Sequence, residues 1–324
     1  MRRIIQFIKE WTLPVSIATG SLLYLVFAFI PALDGAANFF VPILDAALPL
    51  FMFLVLYVTF CKVDFRKLIP VGWHLWIALS QVLMVAVVIG AILFFHVTGK
   101  SLILLEALLT CIICPCASAA AVVTQKLGGN LEEMTTYTFL SNFLCALLIP
   151  VCFPLLDAEA DITFWSAFVA ILYKVCLVLV VPMILAYITK HWHTLCRFYQ
   201  WVISMNNLSY YLWGCSLLIV SGTTVKNIVH AEVAVSFLLL IAVLALILCL
   251  IQFAMGRYIG HFFRSTINAG QALGQKNTAF AIWIAYTYLN PLSTVGPGCY
   301  ILWQNIINSV EIWRYDHAIK RKNK

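Results

Sequence analysis

Apolar runs long enough to cross a lipid bilayer follow one another along almost the whole chain, and they limit the fold to that of a membrane protein. Hydrophobic residues make up 63% of the 324 positions and charged residues only 10%, and the mean hydropathy is +0.98. One crossing takes roughly 20 apolar residues, so the chain has room for about ten transmembrane helices. The sequence therefore predicts an all-α, multi-pass membrane protein whose helices themselves perform the function.

Ten predicted spans follow from hydropathy and from helix-breaking residues. Sixteen basic residues precede the first span, follow the last, or fall in alternate loops, whereas the opposite loops contain only Lys100 and Lys226. By the positive-inside rule, both termini are expected in the cytoplasm. The predicted spans are 12–32, 37–60, 72–95, 101–125, 132–155, 163–188, 199–221, 232–255, 263–289 and 291–312.

The acidic loop 156–162 divides a single transporter domain, residues 1–324, into two groups of five spans, residues 1–155 and 156–324. Because the two groups start on opposite sides of the membrane, we expect them to be inverted five-helix repeats, which are typical of secondary transporters.

The fourth span of each repeat is interrupted, at Cys114-Pro115-Cys116 and between Gly270 and Asn277. Paired interruptions predict two broken, crossing helices around a central cavity, because unwound backbone at membrane depth must be buried in protein or line a cavity. The alternative is that Pro115 only kinks a helix and that the glycines form a packing face.

Lys276 lies inside the second interruption, between apolar runs on both sides. A charge at bilayer depth costs at least about 2.5 kcal/mol, so such a residue predicts a substrate or ion pathway. Asp45 within span two is a candidate partner; alternatively, Lys276 is neutral or faces water, because burial disfavours its charged form. Glu106 and Lys174 are near the ends of their spans, and we expect them to reach the membrane surface.

Polar residues recur near the predicted cavity. Thr135, Thr138 and Asn142 are spaced so that they form one stripe on span five, while Ser118 follows the first interruption and Gln81 lies in span three. These side chains either line a pathway or join neighbouring helices by hydrogen bonds.

Cys111, Cys114 and Cys116 cluster at the first interruption. Thiolates bind soft metals such as Cu(I), but small, soft packing residues give the same pattern. We find no hydrolytic triad, phosphate loop or zinc signature, and we expect no enzymatic activity.

Three motifs carry a resemblance to a known family: the segment from Cys114 to Asn130, the segment Leu273–Thr278, and the ending from Pro297 to Asn305. They resemble, in that order, the Cys-Pro-Gly-Gly-Thr-Ala-Ser-Asn-type crossover, the Gly-Met-Gln-Asn-Ser-type crossover and the Pro-Gly … Trp-x-Asn ending of the bile acid:sodium symporter family. The resemblance implies ten helices in the inner membrane, a panel domain of spans one, two, six and seven, and a core domain that contains the crossing.

The sequence departs from the family pattern at the positions that bind sodium. Of the ligands that the resemblance assigns to the two sodium sites, only Gln81 and Thr138 remain. The others are replaced by Ala120, Ala121, Met134, Ala272 and Lys276. These residues do not supply the oxygen ligands that sodium needs, so we expect transport without the family's two-sodium coupling, with the Lys276 ammonium in place of a bound cation.

The sequence thus predicts a secondary transporter that moves an organic anion, bile-acid-like or a smaller carboxylate, by alternating access. We expect no cofactor, no nucleic acid and no obligate protein partner, only the substrate and the bilayer. The alternatives are a soft-metal or metalloid exporter that uses the span-four cysteines, and a membrane sensor that binds a ligand without transport. The predicted substrate-binding residues are Lys276, Gln275, Asn277, Ser118, Thr138, Gln81, Thr135 and Asn142.

Overall fold

The structure, a computed structural model, describes residues 11–156, 164–205, 207–230 and 233–322, and these residues fold into helices joined by short connections. The side chains of a few further residues within the helices, including Asp45 and Lys174, lie outside the description. The α-helices are α1 (Thr12–Phe29), α2 (Asp34–Lys62), α3 (Gly72–Phe94), α4 (Gly99–Ile113), α5 (Ala119–Lys126), α6 (Leu131–Cys152), α7 (Phe164–Val175), α8 (Val181–His191), α9 (Cys196–Ser204), α10 (Leu208–Val229), α11 (Val235–Phe262), α12 (Thr266–Gly274), α13 (Thr278–Tyr288) and α14 (Val295–Lys322).

Seven segments of the described chain are long and apolar enough to cross a membrane. They coincide with α1, α2, α3, α6, the run from α7 into α8, α10 and α11. The remaining three of the ten predicted spans differ for a physical reason. Spans four and nine are each divided into two half-helices that are too short to cross alone, and the last span lies in α14, which is less apolar.

Both predicted interruptions are present. Helix α4 ends at Ile113 and α5 begins at Ala119, while α12 ends at Gly274 and α13 begins at Thr278. Pro115 lacks the N–H that would continue the first helix. At the second interruption the ring of Phe253 occupies the space where a Cβ on Gly274 would lie. Only glycine therefore lets the chain pass α11 this closely.

The chain forms two compact units. The first contains Met1–Val63, Val181–His230 and Asn305–Lys324, in which α1 packs against α10, and α2 packs against both α10 and α8. The first unit therefore holds spans one, two and seven of the expected panel domain, whereas most of span six lies in the second unit. The predicted division into repeats 1–155 and 156–324 stays a prediction.

The second unit contains Asp64–Val180 and Ala231–Gln304. Helices α11 and α12 pack against each other, and α4 packs against α3, α6, α11 and α13. Apolar side chains from α3, α4, α6, α7 and α13 form a common buried core, which includes Val85, Ile112, Ile149, Ile171 and Ile284. Both interruptions lie in this unit, so the packing of this core sets their positions.

Candidate substrate and ion site at the helix crossing

The two unwound segments run antiparallel and are hydrogen-bonded to each other. Cys116 and Lys276 form an isolated antiparallel bridge. The Ala117 N–H donates to the carbonyl of Gln275 at 2.9 Å, and the Asn277 N–H donates to the carbonyl of Pro115 at 2.9 Å. These bonds satisfy backbone groups that the broken helices leave open, which is necessary at membrane depth. The pairing makes the two broken helices one structural element.

Lys276 connects the second interruption to the end of α4. Its side chain is 1% exposed, and its Nζ donates to the carbonyl oxygens of Ile112 at 3.0 Å and Cys114 at 3.3 Å. The last carbonyls of a helix have no partner within the helix and form the negative end of its dipole. The amine therefore lies where a cation is electrostatically favoured.

Other side chains also donate to carbonyl oxygens at this end of α4. We call these oxygens, which belong to Cys111, Ile112, Ile113 and Cys114, the α4 carbonyl cluster. Gln81 Nε2 lies 3.1 and 3.2 Å from the carbonyls of Ile113 and Cys114. The Cys145 thiol also bonds the Ile113 carbonyl at 2.8 Å, and Gln252 Nε2 lies 3.4 Å from that of Cys111. Every oxygen of the cluster thus accepts from a side chain.

Helix α14 holds the second interruption in place. The Lys276 N–H donates to Gln304 Oε1 at 2.8 Å, and Gln304 Nε2 donates back to the Lys276 carbonyl at 3.1 Å. The Tyr300 hydroxyl donates to the Gly274 carbonyl at 2.8 Å and accepts from Gln252 Nε2 at 3.1 Å. The sequence analysis did not predict Gln252, Tyr300 or Gln304 as site residues. Gln252 could have been found from the sequence, because it is a glutamine within the long apolar run of α11.

Replacing Gln304 with leucine is expected to destabilise the crossing. The Lys276 N–H loses its partner in a buried place, which costs about 1–3 kcal/mol, whereas the Lys276 carbonyl keeps the bond from the Thr278 N–H at 2.9 Å. We expect a lower melting temperature in detergent, measured by tryptophan fluorescence. The same change at the exposed Gln125 serves as the control and is expected to leave the melting temperature unchanged; equal melting of the two variants would contradict the role of Gln304.

The residues that flank the interruptions have different roles. The Asn277 side chain accepts from the Phe280 N–H at 3.1 Å and so caps α13. Ser118 immediately precedes α5, is half-buried, and makes no capping bond with its side chain. Gln275 is 1% exposed, and its Oε1 has no hydrogen-bond partner among the described residues. Ser118 and the Gln275 oxygen are therefore two of the polar groups near the crossing that remain available within the described part of the chain.

The predicted stripe on α6 is buried and mostly bonds its own helix. Thr138 Oγ1 donates to the Met134 carbonyl at 3.0 Å, and Asn142 Nδ2 donates to the Thr138 carbonyl at 2.7 Å. The Thr138 carbonyl accepts from the Ser141 hydroxyl, which itself accepts from the Cys116 N–H in the first interruption. Thr135 Oγ1 has no partner within the part of the chain that the structure describes. Of the stripe, Thr138 reaches the crossing and Asn142 stabilises α6.

Ser141 also reaches the crossing, although the sequence analysis did not include it among the site residues. Its hydroxyl accepts from the Cys116 N–H at 3.2 Å and donates to the Thr138 carbonyl at 3.1 Å. The hydroxyl therefore satisfies a backbone donor in the first interruption. Ser141 could have been predicted as a site residue, because it is a serine next to Asn142 on a mostly apolar helix.

The comparison with known families decides the class of protein. Residues 49–231, more than half of the chain, match the sequence profile of the Sodium Bile acid symporter family. The chain belongs to this family. Its members are membrane transporters, not enzymes, that carry organic anions or sodium-coupled solutes. The protein is thus an integral, multi-pass membrane transporter for a small solute. No curated protein sequence matches the chain significantly.

In this symporter-family protein, the matched range runs from within α2 to the end of α10, and it ends before the second interruption. The family match therefore includes the first interruption and not the second. The position of Lys276 follows from the hydrogen bonds that join the two interruptions.

The prediction that Glu106 reaches the membrane surface is wrong. Its side chain is 6% exposed and accepts hydrogen bonds from Ser293 Oγ at 2.7 Å and from the Asn290 N–H at 3.3 Å. These donors come from a turn about 185 residues further along the chain, which keeps the carboxylate inside the protein. The side chains of Asp45 and Lys174 lie outside the described residues, so the pairing of Asp45 with Lys276 stays a prediction.

The three cysteines of the first interruption are buried and bond nearby backbone. The thiols of Cys111 and Cys114 lie 3.2 and 3.8 Å from the carbonyls of Ala107 and Cys111, and that of Cys116 lies 3.6 Å from the carbonyl of Ala117. Among the described residues, no three histidine, cysteine or acidic side chains come together as a metal site. The geometry therefore favours packing over soft-metal binding for these cysteines.

Proposed function

We propose that this protein is a secondary transporter that moves a small organic anion, bile-acid-like or a smaller carboxylate, by alternating access and without sodium coupling. The fold we propose for it is the ten-helix inverted repeat with both termini in the cytoplasm and the protein in the cell membrane. One observation carries the proposal: the Lys276 amine is bonded to two oxygens of the α4 carbonyl cluster.

A sodium ion at this place would need oxygen atoms that point at it. The oxygens of the α4 carbonyl cluster already accept from Lys276, Gln81, Cys145 and Gln252, and these donors would repel a cation. The residues that the resemblance aligns with lost sodium ligands are buried and carry no side-chain oxygen: Ala120, Ala121, Met134 and Ala272. A tethered ammonium thus supplies the positive charge that bound sodium would otherwise bring.

The same charge explains the choice of an anionic substrate. The N-terminal ends of α5 and α13 begin at the two interruptions, and the N-terminal end of a helix carries partial positive charge. Together with the Lys276 ammonium, they favour an anion at the crossing. We propose that the substrate is bound there by Lys276, Gln275, Asn277, Ser118, Thr138 and Gln81, and that Thr135 and Asn142 extend the site along α6.

Uptake into proteoliposomes tests this function. Labelled taurocholate and, as smaller carboxylates, labelled pyruvate and benzoate would be offered with either sodium or choline outside, and exchange against unlabelled compound would be measured in parallel. We expect saturable uptake or exchange of at least one of these anions at the same rate in both salts. Steep dependence on sodium would contradict the proposed coupling, and saturable binding without flux would favour a sensor. Empty liposomes provide the background.

A further inference from the structure

A cavity of about 550 Å³ lies in the second compact unit, and none of the residues that line it belongs to the two interruptions. Its walls are residues 128–130, which join α5 to α6, and the chain where α11 ends and α12 begins, His261 and residues 264–268. Both walls are on the side where the positive-inside rule predicts the cytoplasm. Small-molecule sites typically measure roughly 300–1,000 Å³, so the cavity has room for a ligand other than the transported anion.

Side-chain hydrogen bonds hold the two walls of the cavity together. Asn268 Nδ2 donates to the Asn130 carbonyl at 2.7 Å, and Asn268 Oδ1 accepts from the Asn130 N–H at 3.0 Å. The Asn130 side chain also accepts from the Glu133 N–H at 3.0 Å and so caps α6. The cavity is therefore a fixed part of the fold, as ligand sites usually are, and a ligand does not have to order its walls.

Arg264 brings an unpaired positive charge to this cavity. Its guanidinium forms no hydrogen bond or ion pair with another side chain among the described residues. The acid that lines the cavity, Glu133, is held by other donors, which are Trp73 Nε1 at 2.8 Å, Asn130 Nδ2 at 3.3 Å and Ser265 Oγ at 3.4 Å. Arg264 therefore keeps its five N–H donors for water or a ligand.

The backbone of Arg264 has a conformation that residues other than glycine rarely adopt. Its φ is +55°, in the left-handed region. Glycine adopts this region without steric cost, so an arginine here costs stability that a glycine would not. Strain of this kind is typical of functional sites, where the side chain itself is needed.

The start of α12 adds donors beside Arg264. Ser265 precedes the helix and makes no capping bond with its side chain. The first hydrogen bond of the helix runs from the Ala269 N–H to the Ser265 carbonyl at 2.9 Å, and the N–H groups of residues 266–268 have no acceptor in the described chain. The His261 imidazole also lines the cavity. A phosphate group fits these donors better than a carboxylate, because its three oxygens accept from several directions at once.

We propose that this cavity binds a phosphate group, which accepts from the Arg264 guanidinium and from the first N–H groups of α12. Guanidinium groups bind phosphate through paired hydrogen bonds, and helix N-termini favour anions. The site is separate from the helix crossing and does not depend on the proposed transport function. The phosphate belongs to a soluble compound or to a lipid headgroup, because the cavity lies beside the end of α11, where Phe262 is 66% exposed.

Melting of the protein in detergent tests the site without any transported anion. We expect inorganic phosphate to raise the melting temperature with increasing concentration, relative to sodium chloride of equal ionic strength, because a ligand stabilises the state that binds it. Arg264→Gly should weaken phosphate binding by about tenfold or more, since it removes hydrogen bonds between charged groups. Without phosphate, this variant should melt no lower than the unmodified protein, because the left-handed backbone suits glycine.

His96→Gly is the matched control for Arg264→Gly. His96 also has a positive φ, 47°, and is exposed, but it does not line the cavity. This variant should respond to phosphate as the unmodified protein does. A further variant, Glu133→Gln, removes a negative charge from the cavity and should strengthen phosphate binding. A phosphate response that persists at full strength in Arg264→Gly, or weaker binding in Glu133→Gln, would overturn the proposal.

Phosphatidylcholine vesicles with and without phosphatidic acid, whose headgroup is a phosphate monoester, distinguish the two sources of the phosphate. A melting response to inorganic phosphate indicates a soluble ligand, and a response to phosphatidic acid alone indicates a lipid; either response should be lost in Arg264→Gly. Benzoate serves as a carboxylate comparison, and a benzoate response as large as that of phosphate would contradict the phosphate site. No response to either phosphate source would overturn the site and leave the proposed anion transport standing, because none of these measurements requires transport.

Discussion

Replacing Lys276 with methionine is expected to reduce anion exchange in proteoliposomes by about tenfold or more. Methionine has a similar length but donates no hydrogen bond, so the carbonyls of Ile112 and Cys114 lose this donor. A buried group without its partner costs about 1–3 kcal/mol, and about 1.4 kcal/mol already corresponds to a factor of ten. The substitution also removes the positive charge that favours an anion at the crossing. The measurement is exchange of the transported anion in sodium and in choline, with the melting temperature recorded for the same samples.

The control for this prediction is Lys226→Met, the same change at an exposed lysine on α10, which should retain normal exchange. A second comparison, Lys276→Gln, keeps one donor but removes the charge. If Lys276→Gln melts normally and yet loses exchange, the charge itself is required. If Lys276→Met retains full, sodium-independent exchange, the amine is not a built-in cation, and the alignment of the second crossover would have to be revised.

Replacing Gly256 with alanine is expected to destabilise the protein by about 1–3 kcal/mol, as is typical of overpacking in a tight core. Gly256 lies where α11 and α12 pack, and an added Cβ would clash with the Ala269 carbonyl oxygen and lie 3.0 Å from the Gly270 Cα. Both are backbone atoms, so neither can rotate away. Because α12 carries the second interruption, the displacement should also reach Lys276. The measurement is the melting temperature in detergent, together with anion exchange.

Gly90→Ala is the matched control for Gly256→Ala. Gly90 is also inside a long transmembrane helix, α3, but nothing lies within 4 Å of its added Cβ. There the better helix propensity of alanine, worth about 1 kcal/mol, should leave stability unchanged or raise it. Similar behaviour of the two variants would mean that the close approach of α11 and α12 does not limit stability.

Much of the helix crossing was predictable because its causes are local. Pro115 cannot continue a helix, and the polar, glycine-containing segment from Gly270 to Asn277 stands out between apolar runs. Both interruptions are present in the structure. The number of spans was harder to judge, because hydropathy counts a broken helix as one span whereas the structure divides it into two half-helices.

The partner of Lys276 was not predictable, because a carbonyl belongs to every residue and leaves no mark in the sequence. The sequence analysis named Asp45 as a candidate partner, which stays a prediction because its side chain lies outside the described residues; the backbone carbonyls of Ile112 and Cys114, which the amine bonds, were not named. The position of Glu106 was not predictable either. Its distance from the end of its span predicted a surface position, and only the folded chain brings Ser293 beside it.

The sequence by itself determined that this chain is a multi-pass helical membrane protein with two interrupted helices and a lysine in the second interruption. Those properties depend on hydropathy, proline and charge, which act over one span at a time. The tertiary structure decided which atoms the buried charges meet, because helix packing brings together residues that lie more than 150 positions apart, such as Ile112 and Lys276. Since a buried charge acts through the atoms it contacts, the role of Lys276 depends on how the helices pack.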